Sequence, residues 1–275
     1  MSSTNIQKRY NTEMITLPSP QYEDHIVFLR TLYEKLQKPV VVGVSGGIDS
    51  AVALTLLARV IPKEKIIPVL LPHHLQNMDD AKQIIAFNQI PESQTHIIDI
   101  APMVQSICDN LQIEKNDHIR RGNIKARVRM ITLFDLAKKY EAVVCGTENK
   151  SEKRLGYFTR FGDSASDIEP ISTLYKTQVR ELAQQLTVPK LFIEKTPSAG
   201  LWENQSDEQE LGFTYHDADQ IMYATFELGY SKNQIMQKNP ALNSDVIQRV
   251  LDQVASQQFK QLVPYSMEVA PNAMG

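Results

Sequence analysis

The chain has 275 residues, a net charge of −3, 42% apolar residues and 22% charged residues, the balance of a globular protein with one large domain or two small ones. That charge gives no support for a broad nucleic-acid footprint, while leaving a local basic patch open, and no apolar run is long enough to span a membrane. Two cysteines, Cys108 and Cys145, have neither metal-ligand spacing nor a disulfide framework; with a polar N-terminus lacking an apolar signal core, they point to a cytoplasmic protein.

Residues 1–20 end in Leu17-Pro18-Ser19-Pro20 and are expected as a loose lead-in, with 21–275 forming one domain. Over 22–37, Tyr22, Ile26, Leu29, Tyr33 and Leu36 recur at helical spacing, and Pro39 stops the helix. Val40-Val41-Val42 reads as a strand, and a helix is expected from Ala51 to Val60. A strand over 66–71, a helix over 79–87 and a strand over 95–100 follow. A helix near 121–139 then leads into the apolar strand Ala142-Val143-Val144-Cys145-Gly146. Strands alternating with helices predict an α/β fold with a doubly wound, mainly parallel sheet and helices on both faces. Ligands bind such sheets beyond the carboxyl ends of the strands, where 45–50 and Thr147 would lie. The stretch 196–215, rich in Pro, Gly, Asn, Ser and acids, reads as a long loop that suits a lid or binding loop as well as plain disorder.

Between the first strand and its helix stand Gly43-Val44-Ser45-Gly46-Gly47-Ile48-Asp49-Ser50. Small residues there let the backbone approach an anion, and the free amides of a following helix would point at it. The loop has no Lys, so it is not a G-x-x-x-x-G-K-[ST] triphosphate loop, and it lacks the G-x-G-x-x-G dinucleotide fingerprint. An ordinary strand-to-helix turn is the plain alternative.

Ser-Gly-Gly-x-Asp-Ser resembles the signature of the PP-loop ATP pyrophosphatases, which split ATP between its α and β phosphates. Farther on come Gly146-Thr147-Glu148-Asn149-Lys150-Ser151-Glu152, Gly156-Tyr157-Phe158-Thr159-Arg160-Phe161-Gly162-Asp163, and Asp167-Ile168-Glu169-Pro170-Ile171. Then follow Leu174-Tyr175-Lys176-Thr177-Gln178-Val179-Arg180-Glu181-Leu182-Ala183 and Lys195-Thr196-Pro197-Ser198-Ala199-Gly200-Leu201-Trp202. In this order, over roughly 20–230, the set resembles NAD synthetases. The wording at 149–152 and 197–202 is similar to the branch shared with glutamine-dependent members. The chain has no room for their glutaminase domain, so it resembles the ammonia-dependent form.

The resemblance implies an adenine nucleotide alpha hydrolase-like fold and a two-step amidation with Mg²⁺ as cofactor and ATP as co-substrate. The nicotinate carboxylate of deamido-NAD attacks the α-phosphorus of ATP, and ammonia then displaces AMP from the acyl-adenylate. By the same resemblance, Gly43, Val44, Ser45, Gly46, Gly47, Ile48, Asp49 and Ser50 would cradle ATP, joined by Thr147, Lys176 and Ser198. Asp49 and Glu152 would hold the metal, and Lys176 would offset phosphate charge in the transition state. Arg127, Arg160, Asp167 and Lys260 would contact deamido-NAD, and Asp163 would hold ammonium and help remove its proton. By residue type alone, Asp49 suits a helix N-cap, Thr147 and Ser198 suit turns, and Glu152 and Lys176 suit a solvated surface. The family's homodimer, with a dinucleotide site drawing on both subunits, is expected here too; nucleic acid and membrane are not expected partners.

Several positions depart from the family pattern. Ile48 replaces a frequent Gln, Leu70 an Arg, Arg160 a Lys, and Ser164-Ala165 a Gly-Gly pair; Phe259-Lys260 stands for a C-terminal His-Lys pair. His73-His74 does not read as a metal site, because neighbours on an extended segment face opposite ways. Two other functions fit the loop: a different adenylating PP-loop amidotransferase or sulfurtransferase, and a nucleotide-binding module without chemistry. The tRNA-modifying version lacks a recognisable Cys pair and a basic balance, while Asp49, Glu152 and Lys176 disfavour the non-catalytic module.

Overall fold

In a computed structural model, residues 15–74, 76–198, 205–261 and 263–265 are described. Helix α1 (Tyr22–Leu36) ends at Gln37, whose left-handed backbone returns its amide to the Tyr33 carbonyl. Pro39 then enters β1 (Val40–Gly43), followed by α2 (Ile48–Val60), β2 (Ile66–Leu70), α3 (Asp79–Phe87) and β3 (His96–Ile97). Next come α4 (Ala101–Asn110), α5 (His118–Lys139), β4 (Val143–Cys145), α6 (Lys150–Leu155) and α7 (Lys176–Gln185). Short α8 (Lys190–Glu194) and α9 (Asp207–Leu211) precede α10 (Tyr215–Phe226), α11 (Lys232–Lys238) and α12 (Ser244–Gln257).

The four strands form one parallel sheet in the order β3-β2-β1-β4. Val40 pairs with Ile66 on one side and Val143 on the other, so β1 is central, and its valines are buried on both faces. Their alternation divides the core. Val40 and Val42 join α1, α2, α3 and α7, whereas Val41 and Val144 face α4 and α5. This is the doubly wound α/β fold expected from the alternating pattern.

Pro68 lies inside β2 without breaking it. The Leu70 carbonyl accepts the Ile98 amide at 3.0 Å, and Pro68, two residues earlier, faces the same neighbour. At that level β3 has not begun, so no ladder amide is missed.

Several expected boundaries are corrected. Helix α2 begins at Ile48 rather than Ala51, which draws Asp49 and Ser50 into a helical first turn. The strand expected over 95–100 is reduced to His96–Ile97, although the Ile98 and Ile100 amides still reach the Leu70 and Pro72 carbonyls before α4 begins. The stretch 196–215 is not one loop: it contains α9, and Tyr215 opens α10. Ala199, Gly200, Leu201 and Trp202 of its motif, like most of the N-terminal lead-in, lie outside the described residues.

A third core joins α10, α11 and α12 to Leu155 of α6, Tyr175 and Ile15. It bears on the site because it backs α6 and α7. Among the described residues no helix is long and apolar enough to cross a membrane.

Candidate active site

Because β1 connects through α2 to β2 on one side while β4 lies on the other, the loops leaving β1 and β4 diverge. Between them opens a cleft of about 400 Å³. Gly43, Val44, Ser45, Gly47, Ile48, Asp49 and Ser50 line it, together with Thr147, Glu152, Asp163, Lys176 and Ser198. Residues from five separate segments thus converge on one concavity.

The 43–50 loop is held from within and from behind. Ser50 Oγ donates to the Gly47 carbonyl at 3.0 Å and lies 3.2 Å from Ser45 Oγ, which accepts the Gly47 amide. Gly46 has φ +78°, and a Cβ there would stand 2.9 Å from Asp80 Cβ and 3.1 Å from the Ala81 amide. Only glycine meets both demands without strain. Lys195 Nζ donates to the Gly46 carbonyl at 3.1 Å and to Asp80 at 2.5 Å, strapping the 195–198 segment over loop and α3. The first-turn amides of α2 have no intrahelical acceptor, so this end of the cleft offers donors to an anion.

Asp49 of that same first turn enters a buried charge cluster with Lys176 and Glu152. Lys176, 3% exposed, donates from Nζ to Asp49 Oδ2 at 2.6 Å and to Glu152 Oε1 at 2.9 Å. Asn149 Nδ2 donates to the other Asp49 oxygen at 2.9 Å, while the Asn149 carbonyl oxygen accepts the Glu152 amide and caps α6. Burial alone would lower the Lys176 pKa; Asp49 and Glu152 reverse that and hold the ammonium above the ordinary lysine range. Burial pushes the Glu152 carboxyl above the ordinary carboxylate range, with Lys176 opposing the rise and Asp49 adding to it.

Among the described residues no three His, Cys, Asp or Glu side chains gather as a metal cage. The donor set nevertheless fits a hard divalent cation: two carboxylates share one cationic partner at the cleft, and phosphate oxygens complete such shells.

Asp163 lies on the cleft wall beyond β4, with Oδ1 accepting the Thr159 amide at 2.9 Å. Desolvation raises its pKa, and the Thr159 amide opposes the rise. Glu148 is a different carboxylate, 7% exposed, with no hydrogen-bond partner for Oε1 among the described residues. Burial, then the charges of Glu169, Asp163 and Glu152, push it from 4.5 to about 8. Between those two values the folded state keeps a proton that the unfolded chain has lost, so stability falls as pH rises through the window. Glu148→Gln is therefore expected to raise stability at pH 9 by about 2–4 kcal/mol and to leave it unchanged at pH 4. Parallel thermal-melting curves for the two proteins across that range would refute this.

Other candidate residues lie elsewhere. Gly46 sits behind the loop rather than on the cleft wall. Asp167 Oδ2 accepts the Val144 amide at 2.7 Å, binding its segment to β4. Arg160 stacks on Phe259 at 5.2 Å. Lys260 Nζ donates to the Gly156 and Phe158 carbonyls at 2.6 and 3.3 Å. Arg127, half-buried on α5, is not among the cleft-lining residues. Arg129, absent from the sequence-based set, does line the cleft and donates to the Leu71 carbonyl at 3.3 Å. Lys195, which opens the 195–202 motif but was given no role there, and Asp207, outside every motif, also line the cleft.

The NAD synthase family model matches residues 22–264. The NH(3)-dependent NAD(+) synthetase of Pelodictyon phaeoclathratiforme is 37% identical over 248 residues, 89% of this chain and 88% of that protein. Two solved structures are similar. The NMN synthetase of Francisella tularensis has a TM-score of 0.75 and 31% identity, over 90% of this chain and 99% of that one. The NH3-dependent NAD synthetase of Campylobacter jejuni has a TM-score of 0.73 and 29% identity, over 90% and 97%. With the PP-loop at the head of α2 and its Asp49 joined through Lys176 to Glu152, this match shows that the chain belongs to the NAD synthase family, among the PP-loop ATP pyrophosphatases.

Proposed function

We propose that this cleft carries out ammonia-dependent NAD synthesis with the residues described above in the following roles. The chain is an amide-forming ligase that makes NAD, AMP and pyrophosphate from deamido-NAD, ATP and ammonia through an acyl-adenylate. The observation that carries the residue assignment is the Lys176 ammonium held between Asp49 and Glu152, facing the anion-binding end of the 43–50 loop.

In the first half-reaction a nicotinate carboxylate oxygen bonds to the α-phosphorus as the bridging α–β P–O bond breaks, and pyrophosphate leaves. Loop amides, Ser45 and Ser50 receive the phosphates, Thr147 and Ser198 bind ATP beside them, and Lys176 stabilises charge developing on the leaving group. Asp49 and Glu152 would hold Mg²⁺, which when bound supplies neutralisation of phosphate charge. In the second half-reaction ammonia nitrogen bonds to the acyl carbon, AMP leaves, and Asp163 takes the proton that frees the lone pair of ammonium. Arg127, Arg160, Asp167 and Lys260 extend this reading to the far part of deamido-NAD. A cytoplasmic homodimer of one domain over 21–275 completes this reading.

A second reading, amidation of nicotinate mononucleotide, is favoured by the likeness to the Francisella NMN synthetase and by Arg160 and Lys260 engaging their own chain. One assay tests both. The protein is incubated with ATP, Mg²⁺, ammonium and either deamido-NAD or nicotinate mononucleotide, and NAD, NMN, AMP and pyrophosphate are followed. NAD formation stoichiometric with AMP is expected; folded, ATP-binding protein that forms only NMN would overturn the first reading.

A further inference from the structure

Asp219, in the middle of α10, is a fully buried carboxylate outside the cleft-lining residues. A carboxylate taken out of water needs donors on its oxygens, and both oxygens here have one. Oδ1 accepts the Ser151 hydroxyl at 2.5 Å, and Oδ2 accepts the Thr177 amide at 2.8 Å. Ser151 Oγ in turn accepts the amide of Lys176 itself at 2.8 Å. Ser151 immediately precedes Glu152 on α6, and Lys176 and Thr177 are the first two residues of α7.

We propose that Asp219 is a positioning residue that sets the α6–α7 junction, and through it the placement of Lys176 between Asp49 and Glu152. A single carboxylate from the third core joins the residue before Glu152 to the backbone at Lys176 and Thr177. Charge-assisted bonds to a helix N-terminus are directional and strong, so they fix α7 along its axis as well as across it. The attachment of α10 does not rest on Asp219 alone. Glu227, just beyond α10, accepts Lys150 Nζ at 2.6 Å and the Tyr175 hydroxyl at 3.0 Å. Loss of Asp219 therefore leaves α6, α7 and α10 together while freeing the register that presents Lys176.

This inference rests on Lys176 acting as the phosphate cation, and its test separates the two ideas. MgATP binding is measured calorimetrically for the wild type, Asp219→Asn, Lys176→Ala and the double variant, with the KM for ammonium determined where turnover permits. In Asp219→Asn an amide replaces one acceptor, and MgATP binding is expected to weaken about tenfold with the ammonium KM within about twofold of wild type. In the Lys176→Ala background the same change is expected to shift MgATP binding less than about twofold, because the group it positions is gone. Equal weakening in both backgrounds, or none in the wild type, would overturn the positioning role. Unchanged MgATP binding in Lys176→Ala alone would instead remove the phosphate-cation reading beneath it. If Asp219→Asn does not fold, Ser151→Ala cuts the same chain of bonds and carries the same expectations.

Discussion

Lys176→Met is expected to lower kcat for NAD formation by about 10²–10³-fold, the loss seen when one preorganised charge-stabilising donor is removed. The Lys176 ammonium lies within hydrogen-bond reach of both Asp49 and Glu152, and it is the cation they share. Methionine fills nearly the same volume, so the readout is charge rather than a cavity. The variant should remain folded. Its two acidic neighbours are each 17% exposed, and burial together with Asp49 already favours the protonated form of Glu152, which loses the opposing charge when Lys176 is replaced. Lys176→Arg is expected not to restore the rate, because a planar guanidinium does not fit a pocket built around a 3%-exposed lysine. Steady-state NAD formation with a circular-dichroism melt checks both variants; a folded Lys176→Met protein retaining kcat within tenfold of wild type would remove Lys176 from the chemistry.

Asp163→Asn has the second largest expected effect, a loss of about 10²-fold in kcat/KM for ammonium with the KM for ATP unchanged. Asparagine can still accept the Thr159 amide through its carbonyl oxygen, so the 159–163 turn is preserved. It cannot hold ammonium by charge or take its proton. Desolvation already raises the Asp163 carboxyl, which makes it a better base toward ammonium than a solvated aspartate. The loss is expected to shrink at alkaline pH, where free ammonia is abundant without help from the protein. A rate deficit independent of both pH and ammonium concentration would assign Asp163 to loop bracing alone.

The residues readable in advance were those whose backbone does the work. The glycines and serines of 43–50 announce a tight turn into a helix because few other residues can make one, and Gly46 at φ +78° bears this out. Strand β1 was legible because a strand buried on both faces needs an unbroken β-branched run. The start of α2 was missed by three residues, since the same small residues serve both loop and first turn. Lys195 stood in a recognised motif without a role: its role appears only because the chain returns it to Gly46, 149 residues away. Asp219 is equally silent, an acid on an amphipathic helix that would ordinarily face water.

The sequence by itself determined the alternating α/β architecture, the tight 43–50 turn into a helix and, through ordered motifs, the family and its chemistry. These depend on local periodicity, backbone freedom and residue type, which act within a few neighbouring positions. Tertiary structure alone decided which charges meet: Lys176 reaches Asp49 across 127 positions and Glu152 across 24. It also turned Asp167 toward the Val144 backbone and Lys260 toward the Gly156 and Phe158 carbonyls. Electrostatic pairing and burial are set by distances in space, and those exist only once the sheet has brought separate loops to one edge.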